Sequence, residues 1–183
     1  MSGIFWGFFF VFLNFNLTFN GHVVNLLPTF VGYWILVRSM EALSGESELF
    51  GALRPFAVGM AVYTAILWVG DLLAITSSGP VSMLLGLLST LVSLYIAWGV
   101  SRAVEDMERA RGADLGAAGV RGAWIALAAG EALALLANAV AMLGLGAVVL
   151  GILGLVVALV GIVWYLVALW SSKTRYEALH VGR

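Results

Sequence analysis

The sequence contains no cysteine, few charged residues and only three prolines. Without cysteine, the chain cannot form a disulfide, a thiolate nucleophile, a thiolate zinc site or an iron–sulfur cluster. Charged residues make up 10% of the chain, whereas a soluble domain carries about 25%. The formal net charge of −1 argues against a nucleic-acid partner, because phosphate binding requires a clustered basic surface.

Most of the chain is apolar. The 183-residue chain is 62% hydrophobic with a mean hydropathy of +1.05, and a bilayer accommodates this apolar surface where a small water-soluble fold cannot. Residues 1–12 are apolar and lack both a basic start and a small-x-small cleavage pattern, which favours a retained membrane segment over a signal peptide. We predict an all-α integral membrane protein whose residues 1–183 form a single transmembrane domain.

Six segments are predicted to be transmembrane helices, since a helix needs about 20 residues to cross a hydrocarbon core about 30 Å thick. The first two are short and separated only by residues 20–23, which include Asn20, Gly21 and His22, and this predicts a tight helical hairpin. Residues 101–111 are predicted to extend the fourth span as a charged helix that ends near Gly112. The six predicted spans are residues 3–19, 24–40, 55–76, 81–101, 121–143 and 147–170.

The distribution of basic residues predicts the orientation of these spans. The connections between spans one and two, three and four, and five and six contain no Lys or Arg. Because Lys and Arg stay in cytoplasmic loops, we predict three helical hairpins with both termini in the cytoplasm. The basic residues on that side are Arg38, Arg54, Arg102, Arg109, Arg111, Arg121, Lys173, Arg175 and Arg183.

A short pattern recurs where the second helix of each hairpin leaves the membrane. The segment from Trp34 to Glu41 matches the segment from Trp98 to Glu105, and a weaker copy starts at Trp170. The pattern indicates a threefold hairpin repeat, or only the interfacial Trp followed by Arg that is common at the cytoplasmic ends of transmembrane helices. Internal repeats are common in transporters, whose sites lie at repeat interfaces near the midplane.

Small residues line one face of each of the last two spans. Since lipid provides no hydrophobic drive between helices, close backbone approach at small residues is how they associate. We predict that the two faces meet. The fifth span contributes Ala123, Gly130, Ala134, Ala137, Ala141 and Gly144, and the sixth contributes Ala147, Gly151, Gly154, Ala158 and Gly161.

Two acidic residues lie within predicted spans and mark the candidate site. Glu131 is about 15 Å from the inner end of its helix, and Asp71 belongs to the outer third of its span. A charge at the bilayer centre costs at least about 2.5 kcal/mol on insertion scales and usually marks a pathway or a site. We expect Glu131 to be either a neutral acid hydrogen-bonded across helices or a carboxylate that takes a proton, a metal ion or a cationic ligand.

Other polar and aromatic residues accompany these acids. Asn138 lies two turns beyond Glu131 on the same face, and Thr64 and Trp68 share a face with Asp71. Near the outer end, an Asn-rich cluster is either the mouth of a cavity or the polar cover of a bent hairpin. This cluster comprises Asn14, Asn16, Asn20, His22 and Asn25.

The run from Asn25 to Tyr33, which includes Leu-Pro-Thr-Phe-Val-Gly-Tyr, resembles a motif of small uncharacterised bacterial membrane proteins, in which LPDFIGY-like runs follow an Asn-rich turn. The likeness covers roughly the first forty residues, and Thr29 stands where the motif has Asp. The resemblance implies a multi-pass protein of the bacterial plasma membrane. It implies no activity.

We expect small-molecule or ion transport, or ligand binding, at a site between the hairpins. Glu131 and Asn138 would form its floor, and Asp71, Trp68, Thr64, His22 and Asn25 its outer part. An accessory or assembly subunit that binds another membrane protein, or a second copy of itself, is the alternative. A lipid-acting intramembrane enzyme is less favoured, because no paired acids, metal-ligand set or Ser/His arrangement is present. We predict no cofactor, no metal and no catalytic residue.

Overall fold

The computed structural model describes residues 1–13, 16–19, 22–25, 28–72, 80–142 and 147–181. These residues form six α-helices and one antiparallel pair of strands, and the chain divides into two compact units, Met1–Ala103 and Val104–Arg183. In chain order the elements are α1 (Ser2–Phe12), β1 (Asn16–Phe19), β2 (His22–Asn25), α2 (Thr29–Ala42), α3 (Glu48–Leu72), α4 (Pro80–Arg111), α5 (Ala117–Met142) and α6 (Val148–Val181).

The last four helices are long and apolar enough to cross a membrane. The candidate spans are Glu48–Gly70, Met83–Arg111, Ala117–Ala141 and Val148–Leu179. No more than 22% of the apolar window in each is buried inside the protein. Such extensive exposure of Leu, Ile and Val side chains is stable in lipid rather than in water. The protein is an α-helical membrane protein, as its composition predicts.

The first two helices are shorter than the sequence analysis predicts. Helix α1 has 11 residues and α2 has 14, so they are about 17 and 21 Å long, less than the thickness of the hydrocarbon core. Between them β1 pairs with β2, with Asn16 opposite Asn25 and Phe19 opposite His22. The prediction of helix at residues 16–19 and 24–25 is therefore wrong. Thr, Val and Phe favour strands, and Asn20-Gly21 is the strongest short-range signal for a two-residue hairpin.

The long helices extend beyond their predicted ends on the side that carries the basic residues. Helix α3 begins at Glu48 rather than at residue 55, and α6 continues to Val181 rather than ending at residue 170. Helix α4 runs to Arg111, which confirms the predicted charged extension, and Gly112 follows with a left-handed φ of +60° that favours glycine. The predicted ends at residues 73–76 and 143 lie outside the described residues.

In the first unit, α1 packs against α2 through two glycines. A Cβ atom on Gly32 would lie 2.7 Å from the Gly7 carbonyl oxygen and 2.8 Å from the Val11 nitrogen, so the two backbones are in direct contact. The next residue, Tyr33, is 2% exposed, and its hydroxyl lies 2.7 Å from the Ser93 hydroxyl of α4. Ser93 donates its single hydrogen to the Ser89 carbonyl, so Tyr33 is the donor. The Gly32-Tyr33 end of the motif thus packs α2 against its neighbours.

In the second unit, α5 and α6 form an antiparallel pair in backbone contact. A Cβ on Gly130 would lie 2.5 Å from the Ala158 Cα, one on Gly154 would lie 2.8 Å from the Ala134 nitrogen, and one on Gly161 would lie 2.6 Å from the Leu127 nitrogen. Real Cβ atoms essentially never come so close to other atoms, so any larger residue at these positions would force the backbones apart. The prediction that the small-residue faces of these helices meet is confirmed.

Candidate functional site

Glu131 lies near the middle of α5, about 21 Å from its start and about 17 Å from its end at helical rise. Its neighbour Gly130 contacts α6, so the Glu131 side chain leaves the helix at the edge of the α5–α6 interface, where it is half-buried. Within the part of the chain that the structure describes, its carboxyl group has no hydrogen-bond or ion-pair partner. The carboxyl group of Glu131 thus lies near the middle of an apolar helix.

Asn138 lies two turns further along the same face of α5, and its side chain is exposed. Its amide nitrogen donates a hydrogen bond of 3.0 Å to the Ala134 carbonyl. This contact fixes the amide against its own helix and leaves the side-chain oxygen as an acceptor. Glu131 and Asn138 therefore present oxygen atoms along one face of α5, as their spacing predicts, and residues 147–181 of the same unit do not cover Asn138.

Thr64 and Trp68 lie one turn apart on α3 in the first unit. The Thr64 hydroxyl donates a bond of 2.7 Å to the Met60 carbonyl, and the Trp68 ring packs edge-on against Phe30 of α2 with 5.7 Å between ring centroids. Both side chains are half-buried. The Trp68 contact connects α2 to α3, and the Met60 carbonyl satisfies the Thr64 hydroxyl within its own helix.

The remaining predicted site residues belong to the same unit. Asp71 lies in the last turn of α3, and His22 and Asn25 occupy the two ends of β2, which packs against α3. The side chains of these three residues lie outside the described part of the chain. The prediction that they form one site with Glu131 and Asn138 stays a prediction.

Two apolar grooves in the first unit were not predicted from the sequence. One, of about 380 Å³, lies between α3 and α4 and includes Phe56, Tyr63 and Ser89. The other, of about 440 Å³, lies between α2 and α3 and includes Phe30, Trp34 and Ala65. Both volumes fall in the range of small-molecule sites, about 300–1,000 Å³. Small residues such as Gly59 and Ala65 on α3 are the sequence signal for a groove, although they equally indicate close helix packing.

Comparison with known proteins adds no constraint on function. No protein-family model, curated protein or solved structure matches the chain. Among the described residues, no group of three or more His, Asp or Glu side chains is arranged to hold a metal ion.

Proposed function

We propose that this protein is a small transport or ligand-binding membrane protein in which Glu131 binds a cation. The observation that carries the proposal is the half-buried Glu131 carboxyl in the middle of an apolar helix, without a partner among the described residues. An unpaired charge in a membrane is costly. Binding of a proton, an ion or a cationic group offsets that cost.

The chemistry of the α5 face restricts the class of ligand. One carboxylate and one amide oxygen, from Glu131 and Asn138, do not provide the six to eight oxygen ligands that Ca²⁺ takes. They suit a proton, a monovalent cation or an organic ammonium group, which a single carboxylate neutralises. We therefore propose proton-coupled or organic-cation chemistry at this face rather than divalent-metal binding.

The first unit has a role of its own in this proposal. Thr64 and Trp68 are fixed in place by their contacts with Met60 and Phe30. We propose that the α3 face that carries them leads to Asp71, and that His22 and Asn25 of β2 form its outer end.

A melting screen with Glu131→Gln tests the proposal. The detergent-purified protein is melted across pH values and in the presence of monovalent cations and organic amines. A ligand that binds only the folded state at a hundred times its dissociation constant adds about 2.7 kcal/mol, which raises the melting temperature by roughly 5–10 °C. We expect such a shift in the wild type and its loss in Glu131→Gln.

The matched control is Glu177→Gln, which removes an exposed acid whose partner Lys173 is 4.0 Å away. This variant should keep the ligand-induced shift. If no condition stabilises the wild type, and Glu131→Gln melts at the same temperature or higher, then Glu131 has a packing role and the proposal is wrong.

We also propose that the chain crosses the bacterial plasma membrane six times with both termini inside. The summed length of α1 and β1 is about 30 Å and that of β2 and α2 about 34 Å, which is enough to cross a hydrocarbon core about 30 Å thick. An open strand edge is not stable in lipid, and the packing of β2 against α3 supplies cover for one edge.

Single-cysteine labelling tests this topology without background, because the chain has no cysteine. A membrane-impermeant maleimide applied to intact cells should label Gly21→Cys and Gly144→Cys. It should label Ser44→Cys and Ala113→Cys only after the cells are opened. Labelling of Gly21→Cys only after opening would contradict the crossing of the first hairpin.

An accessory or assembly subunit is the second candidate. The observation that favours it is that Asn138 and the large apolar side chains around it, such as Leu135 and Leu136, are exposed in the described structure. A partner helix with a hydrogen-bond donor would satisfy this face. Purification in mild detergent should then retain a partner in stoichiometric amount, and Asn138→Leu should release it.

A further inference from the structure

The groove between α2 and α3 has two apolar walls. On α2 the wall is formed by residues one turn apart, Phe30 and Trp34, and on α3 by Val58, Val62 and Ala65. The groove has a volume of about 440 Å³ and is almost entirely apolar. Its side chains reach an open face of the protein, since Trp34 is 57% exposed and Val62 is 56% exposed.

An arginine continues each wall at the same end of the groove. Arg38 lies one turn beyond Trp34 on α2, and its guanidinium carbon is 5.7 Å from the centre of the Trp34 ring. Arg54 lies one turn before Val58 on α3, with 47% of its side chain exposed. The 3.2 Å ion pair between Arg54 and Glu41 of α2 establishes that the two walls meet at this end.

The charges at this end are not balanced. Glu41 neutralises Arg54 in part, since half of each side chain remains exposed. Arg38 has no anionic partner among the described residues, and its guanidinium group lies over the Trp34 ring. The three charged groups that continue the groove walls, Arg38, Arg54 and Glu41, thus carry a net charge of +1, and guanidinium groups bind phosphate oxygens in bidentate geometry.

We propose that this groove binds an anionic phospholipid. Its acyl chain lies between α2 and α3 along Trp34, Val58 and Val62, and its phosphate lies between Arg38 and Arg54. Arginines close to a membrane surface attract anionic lipids, and an exposed Trp beside them is typical of the depth of the headgroups. A phospholipid satisfies both the apolar groove and the charge at its end, whereas an apolar ligand satisfies only the groove.

The ion pair between Glu41 and Arg54 provides a second, independent test of lipid binding. Glu41 competes with the lipid phosphate for the Arg54 guanidinium, so its removal should strengthen lipid binding. A gain of binding cannot result from a damaged fold. Glu41→Gln therefore tests the site in the opposite direction to the arginine substitutions.

The experiment is native mass spectrometry of delipidated full-length protein incubated with phosphatidylglycerol or phosphatidylcholine. We expect the wild type to prefer phosphatidylglycerol. The double variant Arg38→Gln/Arg54→Gln should lose about fivefold in phosphatidylglycerol affinity for each arginine, and Glu41→Gln should gain a few-fold. Ala65→Phe, which fills the groove, should reduce the binding of both lipids.

The matched control is Arg121→Gln, because Arg121 is an exposed arginine at the start of α5. Its removal should change phosphatidylglycerol affinity by less than twofold. Equal binding of the two lipids by the wild type, or undiminished phosphatidylglycerol binding by the double variant, would overturn the proposal. So would a dimer that forms in the absence of lipid and dissociates in Ala65→Phe, because a second copy would then cover the groove.

Discussion

Gly161→Ala is expected to lower the free energy of unfolding by about 2 kcal/mol, although it adds a single methyl group. The new Cβ would lie 2.6 Å from the Leu127 nitrogen, 2.7 Å from the Leu127 Cα and 3.0 Å from the Ala126 carbonyl carbon. These are backbone atoms of α5, which cannot rotate away as a side chain does. The overpacking costs about 3 kcal/mol, and the better helix propensity of alanine returns about 1 kcal/mol.

Gly151→Ala is the matched control on the same face of the same helix. There the new Cβ would lie 3.9 Å from the Ala137 Cβ, an ordinary van der Waals contact. Only the propensity gain remains, so this variant should be as stable as the wild type or up to about 1 kcal/mol more stable. Unfolding by titration with sodium dodecyl sulfate in mixed micelles, followed by circular dichroism, measures both changes. Equal destabilisation by the two variants would contradict the close contact at Gly161.

The contrast between these glycines explains why the α5–α6 interface was predictable. In lipid, packing rather than hydrophobic burial drives association, so a face of small residues on each of two consecutive helices has few alternative uses. The sequence did not distinguish Gly161 from Gly151, because both fit the same pattern. The distinction depends on the local distance between the helices, which only the structure provides.

The first hairpin was mispredicted because apolar content and strand propensity coincide there. Val23, Val24 and Phe19 suit a transmembrane helix by hydropathy and a strand by conformational preference. The Asn20-Gly21 dipeptide favours the strand interpretation, although it equally fits a connection between two helices. The candidate site was predictable only in part: the shared face of Glu131 and Asn138 follows from helical spacing, whereas the two grooves depend on how α2, α3 and α4 pack.

Glu108→Ala is the second change with a large expected effect, about 3 kcal/mol of lost stability. One carboxylate oxygen of Glu108, in the last turns of α4, accepts bonds of 2.9 Å from the Leu115 nitrogen and 3.0 Å from the Ala117 nitrogen. Leu115 is fully buried and Ala117 opens α5. The carboxylate thus caps the positive end of α5 and satisfies two backbone donors. Hydrogen bonds to charged groups contribute about 1.5–3 kcal/mol, and a buried donor without an acceptor adds a desolvation penalty.

A second acidic residue, Asp114, stabilises the same connection between α4 and α5. Asp114 accepts a bond of 2.8 Å from the Gly116 nitrogen and pairs at 2.5 Å with Arg175 of α6, while Gly116 has a left-handed φ of +79°. Because Asp114 is exposed and its pair is open to water, Asp114→Ala should cost less than Glu108→Ala.

Glu177→Ala is the control for Glu108→Ala, since it removes an exposed acid that lies 4.0 Å from Lys173 and should change stability by less than about 0.5 kcal/mol. Hydrogen exchange distinguishes loss of the cap from general destabilisation. In Glu108→Ala the amides of Leu115 and Ala117 should exchange faster under native conditions, while amides in the middle of α5 keep their protection. Uniformly faster exchange along α5 would mean that Glu108 supports the helix as a whole. Unchanged exchange at Leu115 and Ala117 would mean that the Glu108 carboxylate does not bind their backbone N–H groups.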